Sequence, residues 1–252
     1  MESYATAQQV YVGGLVFARL SALLMLMPGV GDTTVPPRIR LAFAFLMTLM
    51  LLPVVAPNMP AVPAAMGTMV AGLLKEVLIG LMIGTILRIF LMALSTAGEI
   101  ISIQTTLSFA QTAAPGIAPG SSTISTFLGL IGLTLIMSTG LHHLFLSAIV
   151  KSYTLFPFTR DLPVADSATL AVKTVADCFK LGVQLAAPLL VFSLVFNVAV
   201  GLVGRVMPQF QVFFVASPLM VILGLSILAL SLGVIGTVWL SRYRELLMIF
   251  GG

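Results

Sequence analysis

The stretch from Gly98 to Ser125 reads G-E-I-I-S-I-Q-T-T-L-S-F-A-Q-T-A-A-P-G-I-A-P-G-S-S-T-I-S, and it lies between two long apolar segments unlike either of them. Ser, Thr, Gln, Pro and Gly crowd into it, and Glu99 is its one ionisable residue. Lipid-facing backbone that leaves helical pairing strands N–H and C=O groups at several kcal/mol each, so such a segment must be buried in protein or line a water-filled cavity. Two Pro-Gly steps, Pro115-Gly116 and Pro119-Gly120, mark turns, because Pro fixes φ and Gly frees it. The stretch therefore reads as a compact loop folded into the interior of a membrane-associated assembly.

The rest of the chain makes the membrane explicit. Of 252 residues 59% are hydrophobic and only 8% charged, against roughly 25% charged in ordinary soluble domains; the mean hydropathy is +1.15. Apolar runs recur at 10–29, 39–57, 69–94, 127–150, 181–203 and 212–240, each long enough as a helix to cross a hydrocarbon core of about 30 Å. The expected fold is thus all-α, an integral membrane protein, with six helical segments as the simple count. No Lys or Arg precedes Arg19, so the start lacks the basic region of a signal peptide and the first segment is expected to stay in the mature protein. The single Cys178 has no internal disulfide partner. A net charge of +4 with no adjacent Lys or Arg is too small and too scattered to suggest a nucleic-acid surface, and none is expected. Its use is topological: Arg242 and Arg244 after Trp239 read as an interfacial anchor that favours a cytoplasmic C-terminus.

Misfits along the chain point to protein neighbours. Arg19 stands mid-segment, where an insertion cost of about 2.5 to 3.5 kcal/mol would apply in lipid; it either faces protein or water, or snorkels to an interface. Pro37 fits the first turn of a helix. The link from Val54 to Val70, with Pro57, Pro60 and Pro63, carries no charge and is expected to lie against protein. Gly72, Glu76, Gly80, Gly84 and Arg88 follow at four-residue steps, so neighbouring pairs share a helix face. Small residues at that spacing admit another helix backbone, and flanking charges call for buried partners. Arg88 and Glu99, about 16 Å apart on a continuous helix, cannot pair with each other. Glu99 either caps the loop by accepting backbone N–H bonds or meets a charge on another subunit, and Arg205 either marks a headgroup interface or pairs likewise.

Other features carry less. His142-His143 tempts a metal proposal, but rings about 100° apart on a helix do not converge and no Cys, Asp or Glu lies within a turn, so no metal or cofactor is expected. Residues 151–180 read as a solvated connection, with a short interfacial helix from Asp166 to Lys180, and the fifth segment is expected to begin after Pro188. No Ser, His and carboxylate constellation or phosphate-binding glycine loop supports an enzyme. A secondary transporter with broken helices, binding a small solute at the midplane, stays open as an alternative.

Four motifs in register then resemble one family. Val35-Pro36-Pro37-Arg38-Ile39-Arg40-Leu41, Lys75 to Gly84, Ala97-Gly98-Glu99-Ile100-Ile101 with Leu107-Ser108-Phe109-Ala110, and Arg205 with Pro208-Gln209, Gln211, Val212 and Phe213 look like the FliR family of the flagellar type III export gate, called SctT in injectisomes. The resemblance covers nearly the whole chain. It implies assembly with FliP and FliQ homologues into a funnel-like gate in the bacterial inner membrane at the flagellar basal body. FlhA and FlhB homologues would be neighbours there, and unfolded export substrates the cargo. It further implies a FliP-like part at 1–180 and a FliQ-like hairpin at 181–252, with bent helical hairpins in place of six clean crossings. The loop after the Gly-Glu-Ile motif helps plug the pore in that family. Here the loop is Gln104 to Ser122, including Leu107, Ser108, Phe109, Ala110, Gln111, Pro115, Gly116, Pro119 and Gly120. After Gln111 the run Ala113 to Gly120 replaces a stretch that often carries an Asp-Pro.

Overall fold

Seven α-helices account for nearly all of the described residues, and there is no strand among them. A computed structural model describes residues 7–32, 34–55, 61–108, 122–158, 164–209 and 211–251. The helices are α1 (Ala7–Leu26), α2 (Pro37–Val55), α3 (Met66–Gln104), α4 (Thr123–Ser138), α5 (Leu141–Leu155), α6 (Val164–Val206) and α7 (Val212–Gly251). Five are long and apolar enough to cross a membrane, or six if α4 and α5 form one broken span. The chain is an all-α membrane protein.

Each boundary has a local cause. Helix α2 opens on Pro37, whose absent N–H is not needed in a first turn. Helix α4 is capped by Ser122, whose hydroxyl accepts from the Ser125 N–H at 3.2 Å. Between α4 and α5 the chain turns at Gly140, in the left-handed region at φ 73°, so the fourth apolar run is two helices and not the single segment its composition suggests.

The expected solvated connection at 151–180 is corrected in the same way. Lys151 to Leu155 close α5, and α6 runs unbroken for 43 residues from Val164 through Pro188. Thr174, Cys178, Leu181, Leu185 and Leu189 are buried while Asp166, Lys173, Asp177 and Lys180 are exposed. One apolar stripe thus carries the polar start of the helix into its apolar part. Pro188 is exposed and interrupts nothing. Likewise α3 continues ten residues past the expected end, so residues 98–104 of the interrupting stretch are its last turns.

The contacts group into two compact units, each discontinuous in sequence. The first holds residues up to Phe90, Gly140–Val175 and the C-terminal residues from Glu245. Here α1 is the core: Leu15, Val16, Leu20, Leu23 and Leu24 are buried, and Phe17 meets Phe45 of α2 edge to face at 6.5 Å. The second holds Leu91–Thr139 and Ala176–Arg244. In it Trp239 is fully buried and stacks on Tyr243 at 5.0 Å, with its ring edge toward Gly132. The headgroup anchor expected of Trp239 is therefore absent, because its indole is buried within the unit; Arg242 and Arg244 do face outward. In the Pro-rich link Ala61, Val62, Ala64 and Ala65 are exposed and Pro63 is half-buried, so the described residues leave most of that stretch uncovered. Pro57 and Pro60 lie outside the described residues.

Candidate functional site

Two polar constructions stand out, one in each unit. In the first unit Arg19 of α1 is completely buried, so it does not snorkel. Its Nε donates to Glu76 Oε2 of α3 at 2.6 Å. Nη1 donates to the Ser152 carbonyl at 2.9 Å and Nη2 to the Phe156 carbonyl at 2.8 Å. Ser152 is in the last turn of α5, where its carbonyl also accepts the Phe156 N–H at 2.9 Å, and Phe156 is the capping residue that follows the helix. A guanidinium with five donors in one plane answers both the carboxylate and the two carbonyls. The Tyr153 ring packs at 4.2 Å from the guanidinium carbon, and Phe158 at 5.2 Å. Lys75 adds a bond to the Phe158 carbonyl at 3.0 Å. One buried charge thus fastens α1, α3 and the end of α5, and the sequence showed Arg19 and Glu76 separately without showing that they meet.

The small residues next to Glu76 make that meeting possible. A Cβ on Gly80 would run into the Arg19 carbonyl oxygen and lie 2.9 Å from Ala22 Cβ. One on Gly84 would lie 2.9 Å from Leu26 Cβ and 3.0 Å from the Leu23 carbonyl. Gly72 faces the Tyr11 hydroxyl. The Gly72-Gly80-Gly84 row therefore lies along α1. Arg88, one step further, is exposed and has no hydrogen bond or ion pair among the described residues.

In the second unit the two ends of the interrupting stretch are held. Glu99 Oε1 accepts the Ser122 backbone N–H at 2.8 Å, and Ser125 Oγ donates to the Ser95 carbonyl at 2.9 Å. A Cβ on Gly98 would strike the Ser125 backbone, so only glycine lets α3 and the start of α4 come this close. Glu99 thus makes the capping contact, with its carboxylate supplied from a neighbouring helix. At the other end Gln104 Oε1 accepts from Ser193 Oγ of α6 at 2.6 Å, and Thr105 packs under Gly224 of α7. Thr106 sits at φ 60°, a left-handed conformation rarely taken by a β-branched residue, with its hydroxyl 3.4 Å from that of Ser217. Leu107 and Ser108 follow, half-buried. Phe109, Ala110, Gln111, Pro115, Gly116, Pro119 and Gly120 lie outside the described residues.

The remaining sequence candidates are dispersed. Arg205 is in the last turn of α6 and exposed; Pro208 and Gln209, also exposed, follow it in the connection to α7. The His142 and His143 rings come within 4.1 Å, closer than their helical directions predict, because two side-chain torsions let adjacent rings lean together. Among the described residues no group of three His, Cys, Asp or Glu is placed to hold a metal.

Residues 10–246 match the family described as bacterial export proteins, family 1. The chain is also 62% identical over 250 residues to the flagellar biosynthetic protein FliR of Caulobacter vibrioides, covering 99% of this chain and 100% of that one. This chain belongs to the FliR family of bacterial export proteins. Within the family the flagellar biosynthetic protein FliR of Escherichia coli is 30% identical over 84% of this chain and 80% of its own. The Yop proteins translocation protein T of Yersinia pestis is 27% identical over 64% of this chain and 63% of its own. At both the Gly-Glu-Ile motif and the Lys75 to Gly84 run, glycines let two helix backbones approach closely.

Proposed function

We propose that this protein is a subunit of the type III protein export gate of the bacterial flagellum, lining part of the protein-conducting path and its plug. The full-length likeness to a FliR protein carries this reading. The partners are FliP and FliQ homologues in one hetero-oligomer, with FlhA and FlhB homologues beside it, in the inner membrane at the basal body. Residues 1–180 form the FliP-like part and 181–252 the FliQ-like hairpin. Family membership supports this reading and gives none to a solute carrier.

Large apolar side chains left open in the single chain agree with such an assembly. Val206 is 80% exposed and Leu230 85%, and patches of that kind mark protein or lipid contact. The loop from Gln104 to Ser122 is the plug. Its near-absence of charge closes a narrow path by dewetting, and its Pro-Gly steps let an unfolded substrate push it aside. Glu99 with Ser122 and Gln104 with Ser193 hold its two ends.

The test is ion conductance of cells or liposomes carrying the whole gate. Deleting residues 108–118 is expected to raise conductance while the complex still copurifies. Unchanged conductance with the complex intact overturns the plug assignment.

A further inference from the structure

Helix α3 stops at Gln104 for no reason that its own sequence supplies. From Glu99 to Ala114 there is no Gly, Pro or Asn, the residues that ordinarily end a helix, and Leu107 and Ser108 are helical again. The interruption is two residues, Thr105 and Thr106, and Thr106 stands in the left-handed region at φ 60°. For a residue other than Gly that conformation is disfavoured by a factor of about 5 to 30 in population. A permanent stop would use Gly there, and a β-branched residue is an outlier.

Contacts within the second unit hold the break. Gln104 Oε1 accepts from Ser193 Oγ of α6 at 2.6 Å, the Thr106 and Ser217 hydroxyls lie 3.4 Å apart, and Thr105 fills the space that a Cβ on Gly224 of α7 would take. The Thr105 hydroxyl donates to the Ile101 carbonyl at 2.9 Å, and the Thr106 N–H donates to that of Ile103 at 3.2 Å, a tightened last turn. With Thr106 in the right-handed region instead, the N–H groups of Leu107 and Ser108 take the Ile103 and Gln104 carbonyls and α3 runs on. Local preference and tertiary contact thus oppose each other across one residue. Two packings that differ by little are what a switch requires.

We infer that Thr106 is a conformational switch: contacts from α6 and α7 keep α3 broken after Gln104, and their release makes it continuous through Ser108. It rests on the plug reading in one respect, that the broken form is the closed one.

T106G and T106A, each in the whole chain within the export complex, test it. Both remove the hydroxyl and the β-branch. Gly relieves the left-handed conformation, whereas Ala, the best helix former, favours continuity, so a switch answers in opposite directions. Hydrogen–deuterium exchange of the backbone amides at 105–108 reads the response. In T106A it is expected to slow by about fivefold or more, and in T106G to hold or quicken. Equal exchange in the two variants overturns the inference. S193A combined with S217A leaves α3 unaltered and loosens the hold of α6 and α7; it is expected to act like T106A, and should T106A not assemble, unchanged exchange in this double variant overturns the inference instead. Conductance of the whole gate is expected to rise in T106A and in the double variant and not in T106G. Failure of the plug reading is separable. Exchange that splits T106A from T106G, with conductance unchanged both in these variants and on deleting residues 108–118, sinks the plug and leaves the switch; a deletion that raises conductance while T106A and T106G exchange alike sinks only the switch.

Discussion

Glu76 and Arg88 stand in one row of four-residue steps on the same helix, yet their fates are opposite. Glu76 is buried against Arg19 and Arg88 is exposed without a partner among the described residues. A step of four overshoots the 3.6-residue turn, so twelve residues rotate the row by about 120°. Over the same length α1 runs out: its last residue, Leu26, lies against Gly84, and Arg88 is one turn beyond. Neighbouring members of the row share a face, as the spacing predicts, whereas its two charged members do not. The lesson is that position in one row does not give two charges one environment: Glu76 is satisfied within the chain, and Arg88 stays on its surface.

The largest blow to this contrast is E76A. Removing one partner of a buried ion pair strands the other, at a cost of about 3 to 5 kcal/mol, so the chain should fall sharply in abundance and in thermal midpoint when the purified complex is melted in detergent. Replacing Arg19 and Glu76 together by Met sharpens the point. If only the ion pair mattered, the double variant would approach wild-type stability; because Arg19 also serves the Ser152 and Phe156 carbonyls, a residual loss of about 1 to 3 kcal/mol is expected.

G80A is the intermediate case. A methyl group there meets backbone, which cannot rotate away, and overpacking of this kind costs about 1 to 3 kcal/mol. A melt of the complex indistinguishable from wild type would mean that α1 and α3 do not approach this closely.

R88A should have the smallest effect on the chain itself. An exposed residue with no hydrogen bond or ion pair among the described residues changes stability by less than about 0.5 kcal/mol, read as the protease resistance of this chain expressed without its partners. A large loss there would erase the distinction between the two charges.

The membrane class, the all-α fold and the family were legible in the sequence, because burial in lipid imposes its demand on every residue of a span. Pairing was not. Arg19 with Glu76, Glu99 with the Ser122 N–H, and Gln104 with Ser193 join positions 57, 23 and 89 residues apart, and a local pattern holds no record of which helix turns toward which. Helix ends went astray for a related reason: tertiary packing carries α3 through Gln104 and α6 through Pro188, while composition alone placed breaks at polar residues and prolines. Apolar periodicity determined that helices form and bury their faces; only their arrangement in space decided that Arg19 and Glu76 meet inside the chain while Arg88 stays on its surface.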